Sequence, residues 1–520
     1  MSEASYDIKP LKSAVPLSKS RFVHGKQCPL RLFYEARTDA PKDEFDASVA
    51  ARIEMGRIVG EYAKALYRQR HADDYIDITA DYRSQELADA DTLAALSRGA
   101  RAVSEAGFTF DRTKIRVDFL ERTGVDSFDL IELKSGSKFD EDKHLWDVAV
   151  QLYVARGAGL NVRDVYLMHL NKSYVWEGGD YDLEQLFAWT NVTEMAEARQ
   201  ARVAASIEAL SEMLLQDCPP SRESETDCEV PYRCSYFSLC HADDPLHPIS
   251  ELPGCTRVSH LRGRLDDRGI RSIEQIDSGL AHSCGMNAKQ IRTWEATAGN
   301  CLIIEPGAKT WVDALAFPLH FLDFETIMPP LPQFVGTHPY ETIPVQWSLH
   351  VMSEPGGPLR HCEFLVGAGQ DPHLAFTKSL SDATLPDGDI LMYSKYERTQ
   401  LTALEARAGS LQPAIAAIKR RLKDLGEPID DHVFAPELHG GWTIKKVAKL
   451  FARDLPGYDE LDVSNGDQAM LAIREYLNPA TTEGRRNQLH DQLLKYCEQD
   501  TLVMVRIYET LHIAEKRSEL

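Results

Sequence analysis

The stretch HFLDFETIMPPLPQF, residues 320–334, sets two carboxylates two residues apart inside an apolar run. Its aromatic and aliphatic content, closed by Pro329 and Pro330, predicts a β-strand. Side chains alternate along a strand, so Asp323 and Glu325 share one face while Leu322 and Phe324 share the other. Desolvating a carboxylate is costly without a counter-charge. Two parallel acids among apolar neighbours therefore call for a cation.

Two later segments supply further acids. DGDILMYSKYERTQL (387–401) reads as a short strand running into a helix, with Glu397 at the junction. In YCEQD (496–500) Tyr496 and Asp500 stand four apart on a predicted helix and project from one side. On that helix Leu494, Cys497, Met504, Tyr508 and Leu511 recur at helical spacing and predict a buried stripe. Three segments that each bring an acid to an element's edge can build one pocket for two divalent cations. In-line cleavage of a phosphodiester uses one cation at the attacking water and one at the leaving oxygen, about 3.5–4 Å apart. Mg²⁺ and Mn²⁺ suit such a pocket, because they prefer carboxylate oxygen and water.

FLDFET, YSKYE and YCEQD together resemble the motifs of the DEDD exonucleases of the RNase H-like superfamily, and Tyr-x-x-x-Asp is similar to the DEDDy subclass. GGWTIKKVAKLF (440–451) looks like the segment such enzymes carry between their second and third motifs. The resemblance implies 3′→5′ removal of nucleotides, with Asp323, Glu325, Glu397 and Asp500 as metal ligands and Tyr496 orienting the attacking water. The sequence departs from the family at Glu397, where the usual residue is Asp; Asp431 is the alternative fourth ligand.

A second constellation lies upstream in TKIRVDFLERTGVDSFDLIELKSGSKFDEDKHLWDVAVQLYVAR (113–156), which predicts two strands and a helix. Asp118 lies in the first strand, and Glu132 and Lys134 share a face of the second. Asp147 and Gln151 fall four apart on the helix. The acids can hold a divalent cation, and the lysine can orient water or stabilise developing negative charge. This order resembles the PD-(D/E)xK nucleases, specifically the RecB-like branch, which implies catalytic roles for Asp118, Glu132, Lys134, Gln151 and Tyr153, with Asp118 and Glu132 on the metal. The branch often carries an upstream histidine; here EMGRIVGEYAKALY has Gly60 followed by Glu61 instead.

Cys28 precedes this region, and Cys228, Cys234 and Cys240 follow it. Four thiolates suit zinc or an iron–sulphur cluster. The five-residue gaps fit a zinc knuckle poorly, since zinc pairs are usually two to four residues apart. The arrangement looks like the iron–sulphur staple of CRISPR-associated and AddB-type RecB-like nucleases, which implies a 4Fe-4S cluster, with zinc the alternative and Cys218 the nearest rival ligand. The other cysteines of the ten are expected as small buried hydrophobes.

The 520 residues leave room for several domains. Three blocks are expected: 1–245 as the RecB-like nuclease domain, 246–310 as a helical connector, and 311–520 as the exonuclease domain, all α/β or α+β in class. No run of eighteen apolar residues predicts a membrane span. MSEASYDIKPLKSAVPLSKS lacks an apolar signal core, so a cytoplasmic protein is expected. A net charge of −22 weighs against a uniformly basic nucleic-acid surface. Metal-holding acids contribute to that total, however, and basic residues gather in AIKRRLKD (417–424) and IKKVAKLFAR (444–453). The leading expectation is a metal-dependent DNA nuclease with two active sites, acting on single-stranded DNA or duplex ends in repair, processing or defence. An RNA exonuclease and a nucleic-acid-binding scaffold with idle sites are the alternatives.

Overall fold

Alternating apolar and polar side chains build two large mixed sheets, each in its own compact unit of this computed structural model. Residues 8–9, 16–44, 47–78, 84–222, 228–230 and 232–514 are described; most of the N-terminal stretch read above for an export signal lies outside them. The first unit comprises residues 1–243 with Pro329–Glu341, and the second comprises Asp244–Met328 with Thr342–Leu520. Among the described residues no helix is long and apolar enough to cross a membrane.

In the first unit β2 (Tyr75–Asp77), β3 (Ala102–Phe110), β4 (Thr113–Arg122), β5 (Phe128–Lys134), β6 (Val162–Leu170) and β7 (Phe187–Asn191) lie side by side in chain order, and β1 (Leu17–Ser18) pairs with β4. The β5–β6 pair is parallel. A parallel pair needs a crossover, and the helix Glu141–Gly157 provides it, with Asp140 capping its N-terminus. This helix buries Leu145, Val148, Ala149 and Leu152 in a core shared with Val103, Val117, Leu130 and Val165. Residues 329–341 join the same unit: Leu331 is buried with Tyr174 and Phe187. The Tyr181 hydroxyl donates to the Pro332 carbonyl at 2.7 Å, and that of Tyr340 to the Ser135 carbonyl at 2.6 Å.

In the second unit β8 (Ile303–Ile304) precedes β9 (Leu319–Ile327), β10 (Ile343–Met352), β11 (Leu359–Leu365), β12 (Ile390–Met392) and β13 (Leu422–Asp424); β14 (Val433–Phe434) pairs with β8. The five-stranded sheet runs β11-β10-β9-β12-β13, antiparallel on the first side and parallel from β9 onward. As the alternation predicts, Leu322 and Phe324 pack on one face with Trp347 and Phe376, while Phe321 packs on the other with Val503, Met504 and Tyr508. Fully burying such a side chain contributes about 1.5–3 kcal/mol. The helix Glu483–Ile513 covers that second face. Along it Cys497, Met504, Tyr508 and Leu511 are buried as expected, whereas Leu493 takes the fully buried place expected for Leu494.

His320 on β9 and His350 on β10 are buried, and burial pushes both imidazoles down to about 4, His361 assisting at His350. His320 also has its tautomer set by neighbours: Nδ1 donates to the Asp389 carbonyl at 3.3 Å, and Nε2 accepts from the Leu385 amide at 3.2 Å. The unfolded chain binds these protons near pH 6.5 and the folded chain only near 4. The contribution of the two imidazoles is therefore complete above pH 6.5 and is lost as pH falls towards 4. The buried carboxyls of Asp323, Glu325, Glu397 and Asp500, raised on folding, act in the opposite sense, so the histidine share is read by difference. His320→Gln should alter the pH slope of the second unit's urea midpoint, gaining on the wild type as pH falls. An unchanged slope in that variant would remove His320 as a contributor.

Candidate active sites

The acids of β9 and the last helix meet. Asp323 and Glu325 project from β9 on the side that the helix covers, and donor oxygens of Asp323, Glu325 and Asp500 lie within 4.8 Å of one another. Glu397 enters from the first turn of the helix Tyr396–Arg407 and is 3% exposed, with Oε2 unpartnered. Burial raises all four carboxyls, and each of Asp323, Glu325 and Glu397 is raised further by facing acids. Asp500 is pushed up to about 6 by burial, tempered by the Tyr458 hydrogen bond and by Lys445. Like charges so crowded cannot all ionise alone. A hard divalent cation fits this donor set and would take the place of the shared protons.

Asp431, the alternative fourth ligand, lies on the short helix Gly426–His432, where its neighbour Asp430 pairs with Lys289 at 2.6 Å. The acid that faces Asp323 and Asp500 is Glu397. Tyr496 is buried beside the cluster, and burial with Asp500, Glu325 and Asp323 keeps its phenol protonated. Three neighbours escaped sequence reasoning. The Tyr458 hydroxyl donates to Asp500 Oδ1. Lys445 Nζ lies over the Tyr458 and Tyr496 rings at 5.2 and 5.6 Å. The Cys497 thiol donates to Asp323 Oδ2 at 3.3 Å. Lys445 stands in one of the basic runs noted above, but nothing in that run separates it from Lys446, which instead holds the Leu438 carbonyl. Beside the acids opens a cavity of about 440 Å³ lined by Glu325, Thr326, Tyr396, Asn465, Asp467 and Met470, within the range of small-ligand sites.

In the first unit Glu132 is 2% exposed and fully engaged. Lys134 Nζ donates to Glu132 Oε1 at 2.9 Å and to Asp147 Oδ2 at 2.5 Å. Gln151 Nε2 donates to Glu132 Oε2 at 2.7 Å, and Gln151 Oε1 is left unpartnered. Asp118 accepts the Leu133 amide at 2.6 Å. Burial, then the Glu132 charge, pushes Asp118 up to about 8, against the pull of Lys19. Burial alone would raise Glu132 too, but Lys134 and Lys19 outweigh it and hold Glu132 well below the usual carboxylate range.

Lys19 was not legible in the sequence: it opens the helix Lys19–Gln27 and reaches both Glu132 oxygens, at 2.8 and 3.0 Å. Glu105 is a second such residue. The β3–β4 register runs unbroken from Ser104↔Phe119 to Ala106↔Val117, so Glu105 stands opposite Asp118, with its backbone at φ +58°. Burial raises its carboxyl, with Lys64 and Lys19 opposing. Glu61, by contrast, is exposed and faces Lys64 at 4.0 Å. Tyr153 does not join the site. Two residues beyond Gln151 on a helix is more than half a turn away, and its hydroxyl donates to Asp111 at 2.9 Å beside Phe110.

The four cysteines converge in the first unit. Cys28 and Cys234 are buried, and Cys228 and Cys240 are half-buried. The Cys234 amide donates to the Cys228 carbonyl at 2.7 Å. Burial, then the neighbouring Cys234, Cys28 and Cys228, pushes Cys240 up to about 11. Cys218, the rival ligand, is exposed. Among the described residues no three of these sulphurs lie within 4.8 Å of one another.

A family described as a domain of unknown function (DUF2779) matches residues 320–443. That span begins on β9 and takes in Asp323, Glu325 and Glu397, and it ends before Tyr496 and Asp500. No curated protein matches the chain.

Proposed function

We propose that the second unit is a DEDDy-type, RNase H-like 3′→5′ exonuclease acting on DNA, and that the first is a RecB-like PD-(D/E)xK nuclease carrying a 4Fe-4S cluster. One observation carries the proposal: Asp323, Glu325 and Asp500, from a strand and a helix far apart in sequence, converge within 4.8 Å. The sheet order, antiparallel up to β9 and parallel beyond it, supports the same reading. A pair of Mg²⁺ or Mn²⁺ ions bound there would activate water and stabilise the leaving oxygen. The chain does the rest. Tyr496, held protonated, orients the attacking water; Lys445 offsets charge on the scissile phosphate; the cavity beside Thr326 and Tyr396 receives the terminal nucleotide.

The test is digestion of 5′-labelled single-stranded DNA and matched RNA with Mg²⁺ or Mn²⁺, using full-length protein purified without oxygen. A ladder shortening from the 3′ end of DNA is expected. Faster loss of RNA would make RNA the substrate, and intact DNA and RNA would leave a binding or scaffold protein.

The cysteine centre has its own readout. Anaerobically purified protein should contain iron and sulphide, and Cys234→Ser should lose both. Metal binding is coupled to folding; a ligand at a hundred times its dissociation constant contributes about 2.7 kcal/mol. The first unit's melting point should therefore fall by roughly 5–10 °C. Zinc without iron in the wild type would reverse the cofactor assignment.

A further inference from the structure

A third group of metal-ligating side chains lies in the second unit, apart from the acid cluster. His247 is buried, Glu251 ends the single turn Ile249–Glu251, and His439 caps the turn Pro436–Leu438. Glu251 Oε2 stands 3.1 Å from His247 Nδ1, and Oε1 stands 3.0 Å from His439 Nδ1. One donor atom from each residue lies within 4.8 Å of the other two. The imidazoles face each other at 5.0 Å between centroids, inclined by 22°.

Backbone geometry fixes this meeting. His439 adopts φ +46° and ψ +48°, the left-handed region that a residue other than glycine occupies at a cost. Gly440 follows at φ +67°, and a Cβ there would stand 2.3 Å from the Glu251 carbonyl oxygen. Only glycine allows so close an approach, which brings His439 to the carboxylate although 188 residues separate it from Glu251.

We propose that His247, Glu251 and His439 bind one divalent cation of the zinc class, which clamps the 247–251 turn to the 436–440 turn within the second unit. Tetrahedral zinc with bonds of about 2.1 Å spaces its donors by roughly 3.4 Å. The observed 3.1 and 3.0 Å run to the two different Glu251 oxygens, and one donor of each residue lies within 4.8 Å of the others, so small side-chain rotations suffice to gather three donors around one ion. Two imidazoles with one carboxylate favour Zn²⁺, Co²⁺ or Ni²⁺ over Mg²⁺, so this site and the all-carboxylate cluster would select different ions. Three protein ligands leave the fourth position to water.

The test is equilibrium dialysis of the full-length protein against micromolar Zn²⁺ or Co²⁺ with millimolar Mg²⁺ present, followed by elemental counting. His439→Asn suits the left-handed backbone, which asparagine tolerates, and Glu251→Gln keeps the side-chain shape. The wild type should hold one equivalent more than either variant. In difference spectra against the metal-free site, its Co²⁺ form should show a visible band that both variants lose, while the iron and sulphide content of the cysteine centre stays. Zn²⁺ affinity at this site should fall by more than the roughly 10–100-fold that loss of an outer-shell partner costs. Equal metal content and identical spectra in wild type and His439→Asn would overturn the proposal and leave a hydrogen-bonded His–Glu–His trio. Nuclease activity plays no part in this readout.

Discussion

Under the proposed exonuclease function, Asp323→Asn should slow the stepwise loss of nucleotides from the 3′ end of labelled DNA by about a thousandfold or more. Asp323 is the acid that faces Asp500 and raises both Glu325 and Glu397, so it occupies the centre of the donor set. The amide keeps the shape of the side chain but supplies a neutral oxygen where a carboxylate is needed to hold a cation. A bound metal contributes several kcal/mol to a phosphoryl-transfer barrier, and each 1.36 kcal/mol is tenfold in rate. The variant should fold well, because the substitution removes a repelling charge from a buried acid group; its urea midpoint should equal or exceed the wild type in the absence of divalent ions. Trimming at the wild-type rate, measured with 5′-labelled strands in Mg²⁺, would remove Asp323 from the reaction.

The second large effect belongs to the first unit. Lys134→Met should reduce its cleavage by about 10²–10³-fold, the loss that follows removal of one fixed donor aimed at developing charge, and leave 3′ trimming untouched. Fold is preserved in this variant because Glu132 retains Lys19 at 2.8 Å and Gln151 at 2.7 Å. Removing Lys19 as well takes away the remaining ammonium and leaves a buried carboxylate without a cation. That double variant should lose about 3–5 kcal/mol, read as a drop in the urea midpoint of the first unit, and added Mg²⁺ should restore part of it. A Lys134→Met protein that loses both cleavages together would mean that the two activities are not separate.

Local rules made much of this visible in advance. The period of two in residues 320–327 placed Asp323 and Glu325 opposite Leu322 and Phe324, and the four-residue step put Tyr496 beside Asp500. The same step set Asp147 and Gln151 together over Glu132 and Lys134. What local rules could not reach came from elsewhere in the chain. Lys19 meets Glu132 across 113 positions, and no spacing marks it. Glu105 meets Asp118 only through the pairing of β3 with β4, and Tyr458 reaches Asp500 from the single turn Tyr458–Glu460. Tyr153 stands apart for a simpler reason: two residues past Gln151, the helix turns it away from the site and towards Asp111.

The connection between β9 and β10 bears on how the molecule can be taken apart. Both strands belong to the second unit, yet Pro329–Glu341 between them belongs to the first. A fragment ending at Asp243 would lack the partners of the Tyr181 hydroxyl and the Ser135 carbonyl, along with the buried Leu331. A fragment beginning at Asp244 would carry those thirteen residues into water. No single scissor point yields two whole halves, so a clean dissection needs the 329–341 segment excised from one piece and returned to the other.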